Sequence, residues 1–370
     1  MLDLMKKMRY IILLIVLTLI TILSLFLTGT VNGGESHSYL LLITGLGIGI
    51  IIILGGCELF ANGVECFGDR FNMSHATVGS LLAAIGTAMP ETLIPILALL
   101  FAGKGHREGI AVGAILGAPF MLGTLAMFLL GITVFIRKLI KKRPRAEMDV
   151  NLSAFTFEMK YFLVIMSFLL LISVIKNPLI NHITGGLLIV VYGIFFFYSL
   201  KHEAEEGEEY TDNFHFGLFL GCPRRVRWIS LQILVGLFFI ITGANLFIGY
   251  LTAFSLKTGI PSLILSLLIT PIATELPEKF NSITWTLKGK DTIALGNLSG
   301  AMVFQATIPA SIGLLFTDWI LGTRELFTIG SALFMGGIIL CYVSYKKRLP
   351  ATVLLIGGVF YFIYVLTVFI

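Results

Sequence analysis

Long apolar runs separated by short polar or charged segments occupy most of the chain. A helix needs about 20 apolar residues to cross a bilayer, and eleven runs are close to or above that length. The runs are continuous rather than alternating with a period of two, which indicates helices and not a β-barrel. The predicted spans are 10–28, 39–66, 74–102, 108–136, 159–176, 180–199, 227–255, 260–287, 291–317, 325–344 and 350–370.

The composition supports the same fold class. Of the 370 residues, 57% are hydrophobic and only 13% are charged, whereas soluble domains carry about 25% charged residues. So few charges cannot cover a water-facing surface, which excludes a soluble enzyme, a disordered chain and a nucleic-acid-binding domain. The four cysteines show no C-x-x-C spacing, so neither a zinc site nor a disulfide framework is predicted. We therefore predict an all-α polytopic membrane protein whose partners include the lipid bilayer and no nucleic acid.

The basic residues predict the orientation of the spans. Clusters of Lys and Arg at 137–145, 224–227, 288–290 and 346–348 fall on one side of the membrane if the N-terminus is inside, as the positive-inside rule requires. The first apolar run, 10–28, is longer than the 7–15-residue core of a signal peptide and lacks a clear cleavage site. We expect it to be retained as an extra N-terminal helix in a plasma-membrane protein.

The two halves of the chain resemble each other at a constant offset of 187 residues. This offset aligns Gly56 with Gly243 and the dipeptide Pro90-Glu91 with Pro277-Glu278. Because five spans, an odd number, separate equivalent positions, the two repeats cross the membrane in opposite directions. Inverted repeats with interrupted helices are typical of secondary transporters, whose substrate sites lie near the bilayer midplane.

The predicted fold is thus two inverted-topology five-helix repeats plus one extra N-terminal helix. Residues 1–38 hold the extra helix and an outside loop, and residues 39–199 form the first repeat. Residues 200–226 form a cytoplasmic linker, and residues 227–370 form the second repeat.

Three glutamates, Glu91, Glu275 and Glu278, lie inside apolar runs. A charge at that depth costs at least about 2.5–3.5 kcal/mol, so it usually faces the protein interior and serves an ion or proton path. No Lys or Arg lies deep in another span to pair with them. Pro90 and Pro277 each remove a backbone hydrogen bond and free a carbonyl group. Carbonyl, hydroxyl and carboxylate oxygens together favour Ca²⁺ or Na⁺ over zinc or copper.

The residues at the two interruptions resemble a known family. Gly86-Thr87-Ala88-Met89-Pro90-Glu91 is similar to the G-T-S-x-P-E motif of the sodium/calcium exchanger family, within the cation/calcium exchanger superfamily. Segments 273–278 and 296–300 resemble the second repeat of that family. The resemblance covers about residues 39–370. It implies a ten-helix core with a central cation site, and alternating access by sliding of the first helix of each half.

The resemblance also implies the ligands of the transported cation. By motif position, Glu91 and Glu278 are the central carboxylates. Thr87 and Thr274 supply hydroxyl groups, and Ala84 supplies a backbone carbonyl.

The sequence departs from the family pattern at several ligand positions. The serine expected after the first threonine is Ala88, and its counterpart in the second half is Glu275. A later Asn or Asp ligand is replaced by Leu122 in the first half and by Gln305 in the second. Glu275 and Gln305 therefore join the candidate ligands. Glu275 and Glu278, three residues apart, share a helical face and would titrate as a coupled set, which leaves both Na⁺ and H⁺ open as the counter-ion.

The sequence thus predicts a secondary-active antiporter that exchanges Ca²⁺ for Na⁺ or H⁺, with inorganic cations as partners and no bound cofactor. No H-E-x-x-H, Walker A or dinucleotide-binding motif is present, which argues against an enzyme. Two alternatives remain: an exchanger-fold homologue with altered cation selectivity, and a transport-inactive sensor or scaffold.

Three further features predict structure rather than chemistry. Asn297 is expected to cap or pack a helix. The G-x-x-x-G spacings at 113–117 and 296–300 are typical of close helix packing. His215 lies near a loop and is expected to be solvated.

Overall fold

The structure, a computed structural model, describes residues 38–70, 89–203 and 214–369. The predicted span 10–28 and the first part of span 74–102 lie outside the described residues.

The described residues form helices joined by short loops, together with one two-stranded antiparallel ladder. A π-helical turn, Leu122–Ala126, connects the helices Arg107–Met121 and Met127–Leu139. The elements are α1 (Tyr39–Arg70), α2 (Met89–Phe101), α3 (Arg107–Met121), α4 (Met127–Leu139), β1 (Glu147–Asp149), α5 (Leu152–Ile175), α6 (Pro178–Glu203), α7 (His215–Leu220), α8 (Val226–Thr258), α9 (Ser262–Thr274), α10 (Leu276–Leu287), α11 (Asp291–Phe316), α12 (Thr323–Lys346), β2 (Arg348–Pro350) and α13 (Ala351–Phe369).

Eight helical segments in the described ranges are long and apolar enough to cross a membrane, and each coincides with a predicted span. They comprise α1, α3 with α4, α5, α6, α8, α11, α12 and α13. This confirms a multi-pass helical membrane protein. Two predicted spans look different: 260–287 is divided into α9 and α10, and 74–102 contributes α2.

The chain divides into two compact units, and the first combines the described residues within Met1–Arg107 with those within Ile194–Ser262. In this unit α1 and α8 pack along much of their length. The backbones approach closely because glycines face each other. A Cβ atom at Gly56 would lie 2.8 Å from the Ile240 nitrogen, and one at Gly236 would lie 2.7 Å from the Phe60 nitrogen. Any larger side chain would separate the two helices.

A buried polar network attaches the short helix α7 to α1 and α8. The amide of Gln232 donates to Asn62 Oδ1 at 3.0 Å and accepts from the Phe216 nitrogen at 2.9 Å. Asn62 Oδ1 also accepts from the His215 nitrogen at 3.0 Å, and the His215 ring lies 3.0 Å from Glu58 Oε1. The prediction of a solvated His215 is therefore wrong: its side chain is buried, because the ring stacks on Phe219 and meets Glu58, contacts that no local pattern indicates.

The second unit combines Glu108–Gly193 with Leu263–Ile370. The β1–β2 ladder and a buried ion pair connect the loops of this unit to each other and to the start of α11. Asp291, at the start of α11, receives two hydrogen bonds from the guanidinium of Arg143, and its Oδ2 accepts from the Asp149 nitrogen at 3.0 Å. The Asp291 carboxylate is almost fully buried, with 1% of its side chain exposed.

Close packing of α3 against α9 confirms one of the two G-x-x-x-G predictions. A Cβ atom at Gly113 or Gly117 would collide with the backbone carbonyl of Leu263 or Leu267. At Gly296 and Gly300, by contrast, a Cβ atom would meet no described atom within 4 Å. The contact with α9 matters because α9 leads directly into the site.

Candidate cation site

The span 260–287 is interrupted at Glu275. This residue has φ −88° and ψ 3°, and a new helix, α10, begins at Leu276. Pro277, the second residue of α10, has no N–H and cannot bond to the carbonyl of Ala273. The predicted interruption is confirmed at this point, and it separates two consecutive helices with one non-helical glutamate between them.

Two carboxylates converge at the interruption. Glu275 is 0% exposed and Glu278 is 6% exposed, and one oxygen of each lies within 4.8 Å of one oxygen of the other. Glu278 is in the first turn of α10, where the positive end of the helix dipole favours a negative charge. Thr274, the last residue of α9, directly precedes Glu275 in the sequence and is also buried. The structure thus brings the carboxylates of two predicted site residues, Glu275 and Glu278, together.

Gln305 reaches the same place from α11. Its amide nitrogen donates to Glu275 Oε1, so the structure groups it with the glutamates as the sequence predicts. Three oxygens then remain buried without a hydrogen bond to any described residue: Glu275 Oε2, Glu278 Oε2 and Gln305 Oε1. Buried polar atoms of this kind are costly unless something binds them. Three hard oxygen donors match the ligand preference of Ca²⁺.

Asn297 positions the backbone of α10. Its amide nitrogen donates to the Glu278 carbonyl at 3.2 Å and to Ser282 Oγ at 2.9 Å. These bonds confirm the structural interpretation of Asn297, since they hold α10 against α11 at the glutamate.

Lys279 is the residue that the sequence analysis missed. It follows Glu278 directly and is only 6% exposed. Its ammonium donates to the Pro271 carbonyl at 2.9 Å and contacts Met121 Sδ at 3.0 Å, and it interacts electrostatically with both glutamates. Other spans hold no deep Lys or Arg in the sequence, but Lys279 lies in the same predicted span, 260–287, as the two glutamates.

The first half of the predicted site is described only in part. Glu91 is in the first turn of α2 and is 4% exposed. Thr87 and Ala84 lie outside the described residues. The expectation that Glu91 and Glu278 serve one site stays a prediction.

Comparison with models of protein families identifies the family of this chain. The model of the sodium/calcium exchanger protein family matches residues 41–201 and 228–370. An uncharacterized membrane protein of Methanocaldococcus jannaschii, MJ0091, is 27% identical over 279 residues, which is 75% of this chain and 83% of that protein.

Two solved structures share the fold. The crystal structure of the H⁺/Ca²⁺ exchanger CAX superposes with a TM-score of 0.69 at 14% identity, over 98% of this chain and 89% of that chain. The sodium-calcium exchanger NCX_Mj superposes with a TM-score of 0.54 at 19% identity, over 88% of this chain and 98% of that chain.

Proposed function

Because the chain belongs to the sodium/calcium exchanger protein family, we propose that it is a secondary-active antiporter that exchanges Ca²⁺ for Na⁺ or H⁺. Family and fold indicate a transporter rather than an enzyme. The identities of the two exchanged ions are part of the proposal. The solved structures that share the fold include one exchanger of each kind, one of H⁺ and Ca²⁺ and one of Na⁺ and Ca²⁺.

The observation that carries the proposal is the set of three buried oxygens at the helix interruption. A divalent cation would satisfy them and offset the charge of the two glutamates. Counter-ions compete for the same oxygens, since a carboxylate binds Na⁺ or H⁺ as well as Ca²⁺. With either Ca²⁺ or the counter-ions bound, the protein can change between its inward-facing and outward-facing states. By motif position, the proposed ligand set is Glu91, Glu275, Glu278, Gln305, Thr87, Thr274 and the carbonyl of Ala84.

The proposed architecture is a pair of inverted five-helix repeats, 39–199 and 227–370, in the cell membrane. The N-terminus lies on the inner side of that membrane. The offset of 187 residues supports the repeats, because it places Gly56 of α1 on Gly243 of α8. The close packing of α1 on α8 within one unit also supports the idea that these two helices move together during transport.

Ion flux in proteoliposomes tests the proposal. The purified full chain is reconstituted, a Na⁺ or H⁺ gradient is imposed, and uptake of Ca²⁺, Mg²⁺, Mn²⁺ and K⁺ is followed in separate experiments. We expect at least one gradient to drive Ca²⁺ uptake, and an ionophore that dissipates the gradient to stop it.

Two outcomes would point elsewhere. Uptake of a different cation under the same gradients would indicate altered selectivity, the alternative that Glu275 and Gln305 favour. If no gradient drives any cation, the antiporter proposal is wrong, and a transport-inactive sensor or scaffold becomes the better account.

A further inference from the structure

The buried ammonium of Lys279 lies along the same helical face as Glu275. Pro271, Glu275 and Lys279 are spaced four residues apart, and such residues are neighbours on one face of a helix. The backbone is continuous enough to keep this spacing, because the Lys279 nitrogen donates to the Glu275 carbonyl at 3.1 Å and the Glu275 nitrogen to the Pro271 carbonyl at 3.1 Å. Since the Lys279 ammonium also bonds to the Pro271 carbonyl, the lysine side chain extends back past the glutamate.

Two of the groups that contact this ammonium are uncharged. The Pro271 carbonyl and the Met121 thioether orient it, but neither offsets its positive charge. A buried charge without compensation is strongly destabilising. Glu275 and Glu278, which interact with the ammonium electrostatically, supply the compensation within this unit.

The charge balance of the second repeat follows from these neighbours. Glu275 and Glu278 carry two negative charges when ionised, and Lys279 carries one positive charge, so the three side chains sum to one negative charge. The glutamate that stands where the family motif has a serine therefore adds oxygen ligands without adding net charge. Gln305, which is neutral, donates to Glu275 Oε1 and leaves this balance unchanged.

We infer that Lys279 is a built-in cation that balances Glu275 and thereby sets the discrimination between divalent and monovalent ions. The inference rests on the proposed function, because it concerns the same site. Coulomb energy is proportional to the charge of the bound ion. Removing the ammonium therefore strengthens the binding of Ca²⁺ more than that of Na⁺, whereas removing the Glu275 charge does the reverse.

Equilibrium binding of radiolabelled Ca²⁺ and Na⁺ to the purified full chain tests this inference. Double-mutant cycles on close charge pairs commonly give at least about 1.5 kcal/mol, which corresponds to about tenfold in affinity. Lys279→Gln is expected to lower the Kd for Ca²⁺ at least about tenfold, and the Kd for Na⁺ by only the square root of that factor. Glu275→Gln is expected to raise the Kd for Ca²⁺, and the double variant to restore the wild-type ratio of the two constants.

Two further variants separate charge from packing. Lys279→Arg keeps the charge and should keep the ratio of the Ca²⁺ and Na⁺ constants. Lys257→Gln removes a lysine near the end of α8, outside the site, and should leave both constants unchanged. If Lys279→Gln weakens both ions alike, or leaves their ratio at the wild-type value, the lysine has a packing role and the inference is wrong.

The remaining outcomes are also decisive. If Lys279→Gln does not fold, the double variant with Glu275→Gln should give a monodisperse protein, because neither of the two charges is then buried without the other. A double variant that also fails to fold contradicts the pairing of Lys279 with Glu275. Wild-type protein that binds neither ion contradicts the proposed function and this inference together. Wild-type binding with an unchanged ratio in Lys279→Gln overturns the inference alone.

Discussion

Replacing Glu278 with glutamine is expected to reduce gradient-driven Ca²⁺ uptake more than about 100-fold. Loss of a residue that merely supports a metal ligand costs about 10- to 100-fold in affinity or activity, and Glu278 is proposed as a direct ligand. Glutamine keeps the size of the side chain and removes only its charge, in the first turn of α10 where that charge is favoured. The measurement is initial-rate uptake in proteoliposomes with matched amounts of protein.

A matched control is available in the same unit. Glu325 is a buried glutamate whose carboxylate accepts from the Gly322 nitrogen at 2.8 Å at the start of α12. Glutamine can also accept that bond, so Glu325→Gln should transport like the wild type. If Glu278→Gln retains uptake comparable to Glu325→Gln, then Glu278 does not bind the transported ion.

Replacing Arg143 with methionine is expected to lower the free energy of unfolding by about 3–5 kcal/mol, the usual cost of breaking a buried ion pair by removing one partner. The variant leaves the Asp291 carboxylate buried, with 1% of its side chain exposed, and without its guanidinium. Denaturant-induced unfolding in detergent, followed by tryptophan fluorescence, measures the change.

An exposed ion pair of the β1–β2 ladder provides the control. Arg348 lies 3.6 Å from Glu147, with 46% and 38% of the two side chains exposed, and such pairs contribute at most about 1 kcal/mol. Arg348→Met should therefore have little effect. Adding Asp291→Asn to Arg143→Met should recover part of the loss, because the uncompensated charge is removed. Equal effects of Arg143→Met and Arg348→Met would contradict the assigned role of the buried pair.

The membrane helices could be predicted from the sequence because their signal is local. A run of apolar residues long enough to cross a bilayer needs no knowledge of its neighbours, and eight predicted spans coincide with helices of the structure. The interruption at Glu275 is also local, since Pro277 removes a helix hydrogen bond wherever the chain lies. Gln305 became a candidate ligand through the family resemblance instead, because it stands at a ligand position of that family's pattern.

The positions of Lys279 and His215 could not be predicted in the same way. Lys279 is buried with its ammonium against Met121 of α3 and the Pro271 carbonyl, and the first of these contacts comes from a distant part of the chain. His215 is buried because Asn62 and Gln232, which are far away in sequence, meet beside it. Both cases depend on tertiary contacts of polar groups, which apolar periodicity does not report.

Anomalous diffraction from crystals of the full chain grown with Ca²⁺ tests the central claim most directly, because it locates the bound ion. The account predicts a peak about 2.3–2.6 Å from Glu275 Oε2 and Glu278 Oε2, the usual range for Ca²⁺ and oxygen, and no such peak in Glu278→Gln crystals. A Ca²⁺ peak located elsewhere, with none between these two carboxylates, would contradict it.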